Sequence, residues 1–185
     1  MKTSKVFALV LATFCSLSVS AQRYFTKAGT IYFNSSGDTE VIDATNKTVT
    51  SVMDIKTGAI QFAVLMKAFQ FEKALMEEHF NENYAESSKF PKTEFKGEIT
   101  NNKDINYGKD GSYPAKVKGK MTLHGLTKDV ETSGTISIKG GKIQAQSEFE
   151  ILLSDFNIEI PTLVKDKISN HAKIKVDCTM ELLKS

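Results

Sequence analysis

The sequence predicts an all-β chain folded as an eight-stranded antiparallel β-barrel with one short helical segment. Three observations carry this. Hydrophobic residues alternate with polar ones in at least seven segments, the period of half-buried antiparallel strands. Helical spacing occurs in only one stretch. Glycine-rich and polar turns stand between the longest alternating segments, and closing the sheet removes the edges that long antiparallel strands otherwise expose.

The chain opens with a segment outside this pattern. Residues 1–21 combine basic Lys2 and Lys5, an apolar run from Val6 to Phe14, and Val19 and Ala21 at −3 and −1 of a cut before Gln22. This is the three-part pattern of a secretory signal peptide, and the run is too short for the roughly 20 residues of a membrane span. Phe14 directly before Cys15 is unsuited to lipoprotein processing. The expected domains are therefore a signal peptide, 1–21, and one barrel domain, 22–185. Without the signal, 164 residues carry 22 basic and 22 acidic groups, and Cys178 is the single cysteine. A periplasmic or secreted location follows, with no internal disulfide to staple the fold. Balanced charge does not favour nucleic acid, and no other stretch is apolar enough to insert stably in a membrane.

The expected elements follow in order. Thr30–Phe33 begins the alternation. Asp54–Gly58 reads as a hairpin turn, and the next strand puts Ile60, Phe62, Val64 and Met66 on one face. Phe71–Phe80 is the helical stretch, with Phe71, Leu75 and Met76 on one side and Phe80 a turn on. A further turn through Tyr84–Ser88 ends at Pro91. Glu94–Ile99 alternates again, and a polar loop runs from Asn101 to Pro114. In the next strand Lys116, Lys118 and Lys120 alternate with Ala115, Val117, Gly119 and Met121. Such lysines form a solvent face or attract an anionic group. His124–Thr127 and Lys139–Lys142 read as hairpins. The strands after them set Val130, Thr132, Gly134, Ile136 and Ile138, then Ile143, Ala145, Ser147, Phe149, Ile151 and Leu153, on one face each. The last strand does so with Ala172, Ile174, Val176, Cys178, Met180 and Leu182.

The inward parity mixes small mid-strand residues with bulky apolar ones. Parity alone leaves two readings open. Phe62, Phe95 and Phe149 fill the barrel, or the small residues keep a lumen. The lumen candidates are Ile60, Phe62, Val64, Phe95, Val117, Gly119, Met121, Gly134, Ile136, Ala145, Ser147, Phe149, Val176 and Cys178. No catalytic constellation is expected. His79, His124 and His171 lack metal-pair spacing, and there is no nucleophile elbow, phosphate loop or Cys-x-x-Cys. Cys178 reads as a buried small hydrophobe. Glu77 and Glu78 read as solvated helix charge. Asn34-Ser35-Ser36 and Asn46-Lys47-Thr48 match the short glycosylation pattern.

Three ordered stretches resemble the YceI-like family: Met121–Val130, His79–Tyr84 leading to Lys89–Phe95, and Phe149–Ile158, where Asn157 stands in the place of the usual Gly. The resemblance implies a lipocalin-like eight-stranded barrel with a helical segment at its side. It also implies an elongated apolar pocket for a polyisoprenoid, such as a polyprenyl phosphate or a quinone tail. It brings no catalytic residues, no metal and no cofactor. The function expected is that of an exported carrier, not an enzyme. Its partner would be a long-chain isoprenoid lipid or similar amphiphile, with a homodimer as the one protein partner in view. The alternative is an envelope structural or stress-related protein with a filled barrel, acting through a protein partner.

Overall fold

The computed structural model describes residues 22–183; the expected signal segment, 1–21, lies outside them. The strands are β1 (Arg23–Ser36), β2 (Asp43–Asp54), β3 (Ala59–Leu65), the two-residue β4 (Gln70–Phe71), β5 (Lys92–Ile99), β6 (Gly111–Leu123), β7 (Leu126–Lys139), β8 (Lys142–Leu152) and β9 (Ile168–Leu182). All pairings are antiparallel. The ladder runs β1-β9-β8-β7-β6-β5-β3-β2, and β2 pairs back onto β1, closing an eight-stranded barrel. β4 adds to the start of β2 through Ala44↔Phe71.

Turn chemistry fixes the hairpins. His124 and Gly125 have φ of 52° and 78°, and Gly140 and Gly141 have 57° and 77°, the two left-handed positions of a tight β-hairpin. Asn157 also sits in the left-handed region, at φ 56°. Asn is among the few residues that tolerate this conformation, so it replaces Gly there without breaking the turn.

Connections divide between two ends. At one end lie the β1–β2 loop, the long β3–β5 crossing, the β6–β7 hairpin and the β8–β9 connection. At the other lie the 55–58 turn, the 100–110 loop and the 139–142 hairpin. Two apolar clusters match these ends. The outer one gathers Met66, Phe69, Met121, Leu123, Leu153, Phe156 and Ile158. The inner one gathers Met53, Ile60, Ile99, Ile105, Ala115, Ile136, Ile138, Ile143 and Met180.

The crossing departs from expectation. The helix α1 is only Ala74–His79, followed by a wider turn over Phe80–Tyr84. Phe71 belongs to β4 instead, because Lys73 is extended and the Phe71 N–H donates to Glu77 Oε2 at 3.3 Å. Glu77 is thus more than solvated charge. Leu75 is 61% exposed, and Phe80 carries the packing, with its ring centroid 5.0 Å from Phe71 and 5.6 Å from Phe69. The polar loop also ends sooner: β6 starts at Gly111, and Pro114 lies within it, opposite Thr135. There the strand extends past its last β5 partner, Val117↔Ile99, where proline is tolerated.

The lysine strip is a solvent face. Lys118 meets Glu131 at 2.8 Å and Lys120 meets Asp129 at 2.9 Å, across β6 and β7. Glu131 beside Lys118 holds its ammonium above the ordinary value, and Lys120 lowers the Asp129 carboxyl. Asn46 is buried, with its amide donating to the Leu65 carbonyl at 2.9 Å, so its match to the glycosylation pattern is fortuitous in this fold.

Candidate functional site: an apolar lumen

The barrel holds a cavity of about 610 Å³, within the range of small-molecule sites. Its walls draw on both apolar clusters. Twelve expected residues line it: Ile60, Phe62, Val64, Phe95, Val117, Met121, Gly134, Ile136, Ala145, Ser147, Phe149 and Val176. Several of these inward residues, among them Phe62, Phe95, Val117 and Phe149, are only half-buried, as residues facing an unfilled lumen are. Of the two readings left open by parity, the structure has the open one.

Gly119 and Cys178 do not line the cavity. A Cβ on Gly119 would stand 2.5 Å from the Lys96 carbonyl and 2.6 Å from the Phe95 Cζ, so the Phe95 ring covers this position. Cys178 points inward but is fully buried, with its Sγ in the dent that Gly29 leaves at the β1 bulge. Burial pushes its thiol up to about 12, assisted by Asp177 and opposed by a backbone hydrogen bond from Thr30. The thiol is a packing group rather than a nucleophile.

The deep end is closed by side chains. Ile105, Ile138, Ile143, Met53 and Met180 pack beyond the last lining residues. Tyr107 reinforces the loop there, donating to Asn102 Oδ1 at 2.7 Å while Asn102 donates to the Ile55 carbonyl at 2.8 Å. Burial raises the Tyr107 hydroxyl.

The outer end is formed by residues outside the lumen set expected from parity. Phe33, Phe69, Phe71 and Phe80 form an aromatic group, and Tyr84, Leu153, Ile158 and Ile160 join the wall. Phe71 and Phe80 fall on the apolar side of the expected helical stretch and Leu153 on the inward parity of its strand, whereas Phe69, Ile158 and Ile160 carry no periodic signal. β7 and β8 separate at this end. Their pairing stops at Gly134↔Ser147, while β8 continues along β9 to Leu152↔His171. Ser147 Oγ donates to the Ser133 carbonyl at 2.8 Å at the last point of contact. The Thr132 hydroxyl also reaches Ser147 Oγ at 3.2 Å, and beyond it Val130 on β7 and Phe149 and Ile151 on β8 line the cavity.

His124 ties the outer connections together. Its Nε2 lies 2.6 Å from Glu86 Oε2 and its Nδ1 3.1 Å from the Phe156 carbonyl, with Phe90 against its ring at 4.4 Å. His171 pairs with Glu150 on the surface, and His79 lies at the cavity rim. Among the described residues no group of His, Cys, Asp and Glu is arranged to hold a metal, and no helix is long and apolar enough to cross a membrane.

Solved structures share this architecture. A polyisoprenoid binding domain from Saccharophagus degradans, implicated in plant cell wall breakdown, is similar at a TM-score of 0.76 and 14% identity, over 88% of this chain and 99% of that one. Burkholderia cenocepacia BcnA is similar at 0.66 and 16% identity, over 82% and 95%. The Campylobacter jejuni YCEI protein gives 0.50 and 17% identity, over 100% of both chains. No curated protein matches the chain by sequence. The family model for the YceI-like domain matches residues 16–180, nearly the whole barrel, and the chain belongs to that family.

Proposed function

We propose that the protein is an exported carrier that holds a polyisoprenoid, or a similar long apolar chain, in its barrel lumen. The observation that carries this is the cavity of about 610 Å³, whose wall is apolar and aromatic along nearly its whole length. Removing an apolar chain from water into such a space is favourable in proportion to the area buried. The likeness to a polyisoprenoid binding domain supports the same class of ligand. An unfilled lumen does not suit the alternative of a filled barrel acting through its outer surface. Export rests on the signal-like segment at 1–21, which makes the periplasm or the extracellular medium the proposed place of action.

Native mass spectrometry of the protein purified from its own host tests the reading. A co-purifying lipid of defined mass, lost on denaturation, is the expected result. Folded protein that is consistently empty, and stays empty when offered isoprenoids, overturns it.

A further inference from the structure

The charge on the cavity wall is confined to one place. Among the lining residues the charged or chargeable groups of Asp, Glu, Lys, Arg and His type are Glu40, Lys73, His79 and Lys167. They come from the β1–β2 loop, the crossing segment and the β8–β9 connection, all of which lie at the outer end. The loops that bear them are joined. The Gly37 N–H donates to the Lys167 carbonyl at 2.8 Å, and the Thr39 N–H to the Asp166 carbonyl at 3.0 Å. A Cβ on Gly37 would stand 2.5 Å from the Asp166 carbonyl, so glycine permits this close approach. Lys73 Nζ meets Glu40 Oε1 at 3.0 Å across the rim.

The balance of this rim is cationic. Glu40 offsets Lys73. Lys167 has no carboxylate partner among the described residues, and neither has His79. Asp166 holds the Thr39 hydroxyl at 3.2 Å and is not among the lining residues. Among the described residues no charged group of the deep end lines the cavity, which is closed there by the buried apolar cluster. A chain bound in the lumen therefore has one orientation available to a charged end group: tail inward, head at the rim.

Resting on the carrier reading, we propose that the rim formed by Lys167, Lys73 and His79 is a head-group site for an anion, so that the ligand is an amphiphile with a phosphate or carboxylate head. Glu40 acts as an internal competitor there. It occupies Lys73 when the rim is empty, and an incoming anion must share that ammonium with it.

Displacement of the neutral fluorophore N-phenyl-1-naphthylamine tests this with matched pairs. Geranylgeranyl phosphate is compared with geranylgeraniol, and palmitate with 1-hexadecanol. The rim predicts that the anion of at least one pair displaces the probe at roughly two- to five-fold lower concentration than its alcohol, the size expected of exposed charge pairs, and that high salt shrinks the ratio. Lys167→Gln should lower the ratio and Glu40→Gln should raise it, a rise that a merely structural role for Glu40 would not produce. Preference in the phosphate pair alone identifies a phosphate head; preference in the palmitate pair identifies a carboxylate. Equal affinity within both pairs, or ratios unmoved by both substitutions, overturns the rim site while leaving the carrier intact. A probe and lipids that all fail to bind overturn the carrier reading, and the rim site with it.

Discussion

The ring of Phe95 on β5 lies against Gly119 on β6, where a side chain would collide with it. The two strands face each other through Gly97↔Gly119, and a Cβ on Gly119 would meet the Gly97 Cα at 2.6 Å and the Phe95 Cζ at 2.6 Å. Phe95 also stands 6.2 Å from Phe62, centroid to centroid, and both rings touch the inner and the outer cluster. The glycine pair is a recess in the wall. With Phe95 laid over it, the cavity passes the two rings and reaches Ile99, Ala115 and Ile136.

Gly119→Ala should therefore destabilise the barrel by about 1–3 kcal/mol, the usual cost of forcing extra volume into packed structure. Because the Lys96 carbonyl is met at 2.5 Å as well, trimming the ring in Phe95→Leu should not rescue it. Urea unfolding of the single and double variants measures both effects. A neutral Gly119→Ala would show that the strands can part at no cost and that the recess has no structural role.

Cys178 makes the stability pH-dependent on the alkaline side. Its thiol is raised from an ordinary 9.0 to about 12 in the folded chain. The unfolded chain thus loses this proton first as pH rises. The contribution is complete below about 9 and is lost progressively as pH rises toward 12. Tyrosines and lysines titrate in the same window, so the measurement is a difference: unfolding free energy of the parent minus that of Cys178→Ala, from pH 7 to 11. The difference should shrink with pH. A flat difference would mean that the thiol is solvated. In the folded protein at neutral pH, the same burial should leave the thiol unreactive to a soluble alkylating reagent until denaturant is added.

The strands were legible where inward residues are uniformly apolar or small. β6 and β9 are such cases. β2 was not, because its inward set includes Asn46 and Ser51 and changes parity between Asn46 and Val49, at a register shift beside Gly29. A one-residue slip exchanges the two faces, so period-two reading fails across it. The residues that face the lumen were legible for the same reason as the strands, but its being open was not: parity admitted a filled barrel equally, and only the family resemblance implied a pocket. Its outer wall was legible only in part: Phe71 and Phe80 stood out as an apolar helical side without showing that they reach the lumen, and Phe69 reaches it from irregular structure. Gly119 and Cys178 shared the parity of lumen residues, but parity gives direction only; what stands opposite each of them is set by strand approach.

Export predicts a mature chain beginning at or near Gln22. The ground is the basic start, short apolar run and small residues of 1–21. Intact-mass measurement on protein recovered from outside the cytoplasm should lack Met1–Ala21. A mass that keeps them, or one carrying a diacylglyceryl group on Cys15, contradicts the expectation.

The open lumen predicts unequal outcomes for two small residues that both line it. Ala145 and Gly134 lie on adjacent strands, with Ala145 opposite Ile136 and Gly134 opposite Ser147. Parity makes them look interchangeable as places to add bulk, but their surroundings differ. A Cβ on Gly134 would be driven into the Gln146 carbonyl, with Ser147 Cβ at 3.2 Å, so the first atom added meets backbone rather than lumen. Ala145 already carries its Cβ, and further atoms can extend into the cavity. Gly134→Leu should therefore cost about 1–3 kcal/mol by overpacking. Ala145→Leu should change stability by less than about 1 kcal/mol, because its added methyl groups gain contacts in unfilled apolar space. It should also weaken binding of an isoprenoid probe, because the same atoms occupy the ligand's volume. Thermal melts of the lipid-free variants and probe titrations separate these effects. If Ala145→Leu is as destabilising as Gly134→Leu, the space beside Ala145 is already filled in solution, and the carrier proposal loses the cavity on which it stands.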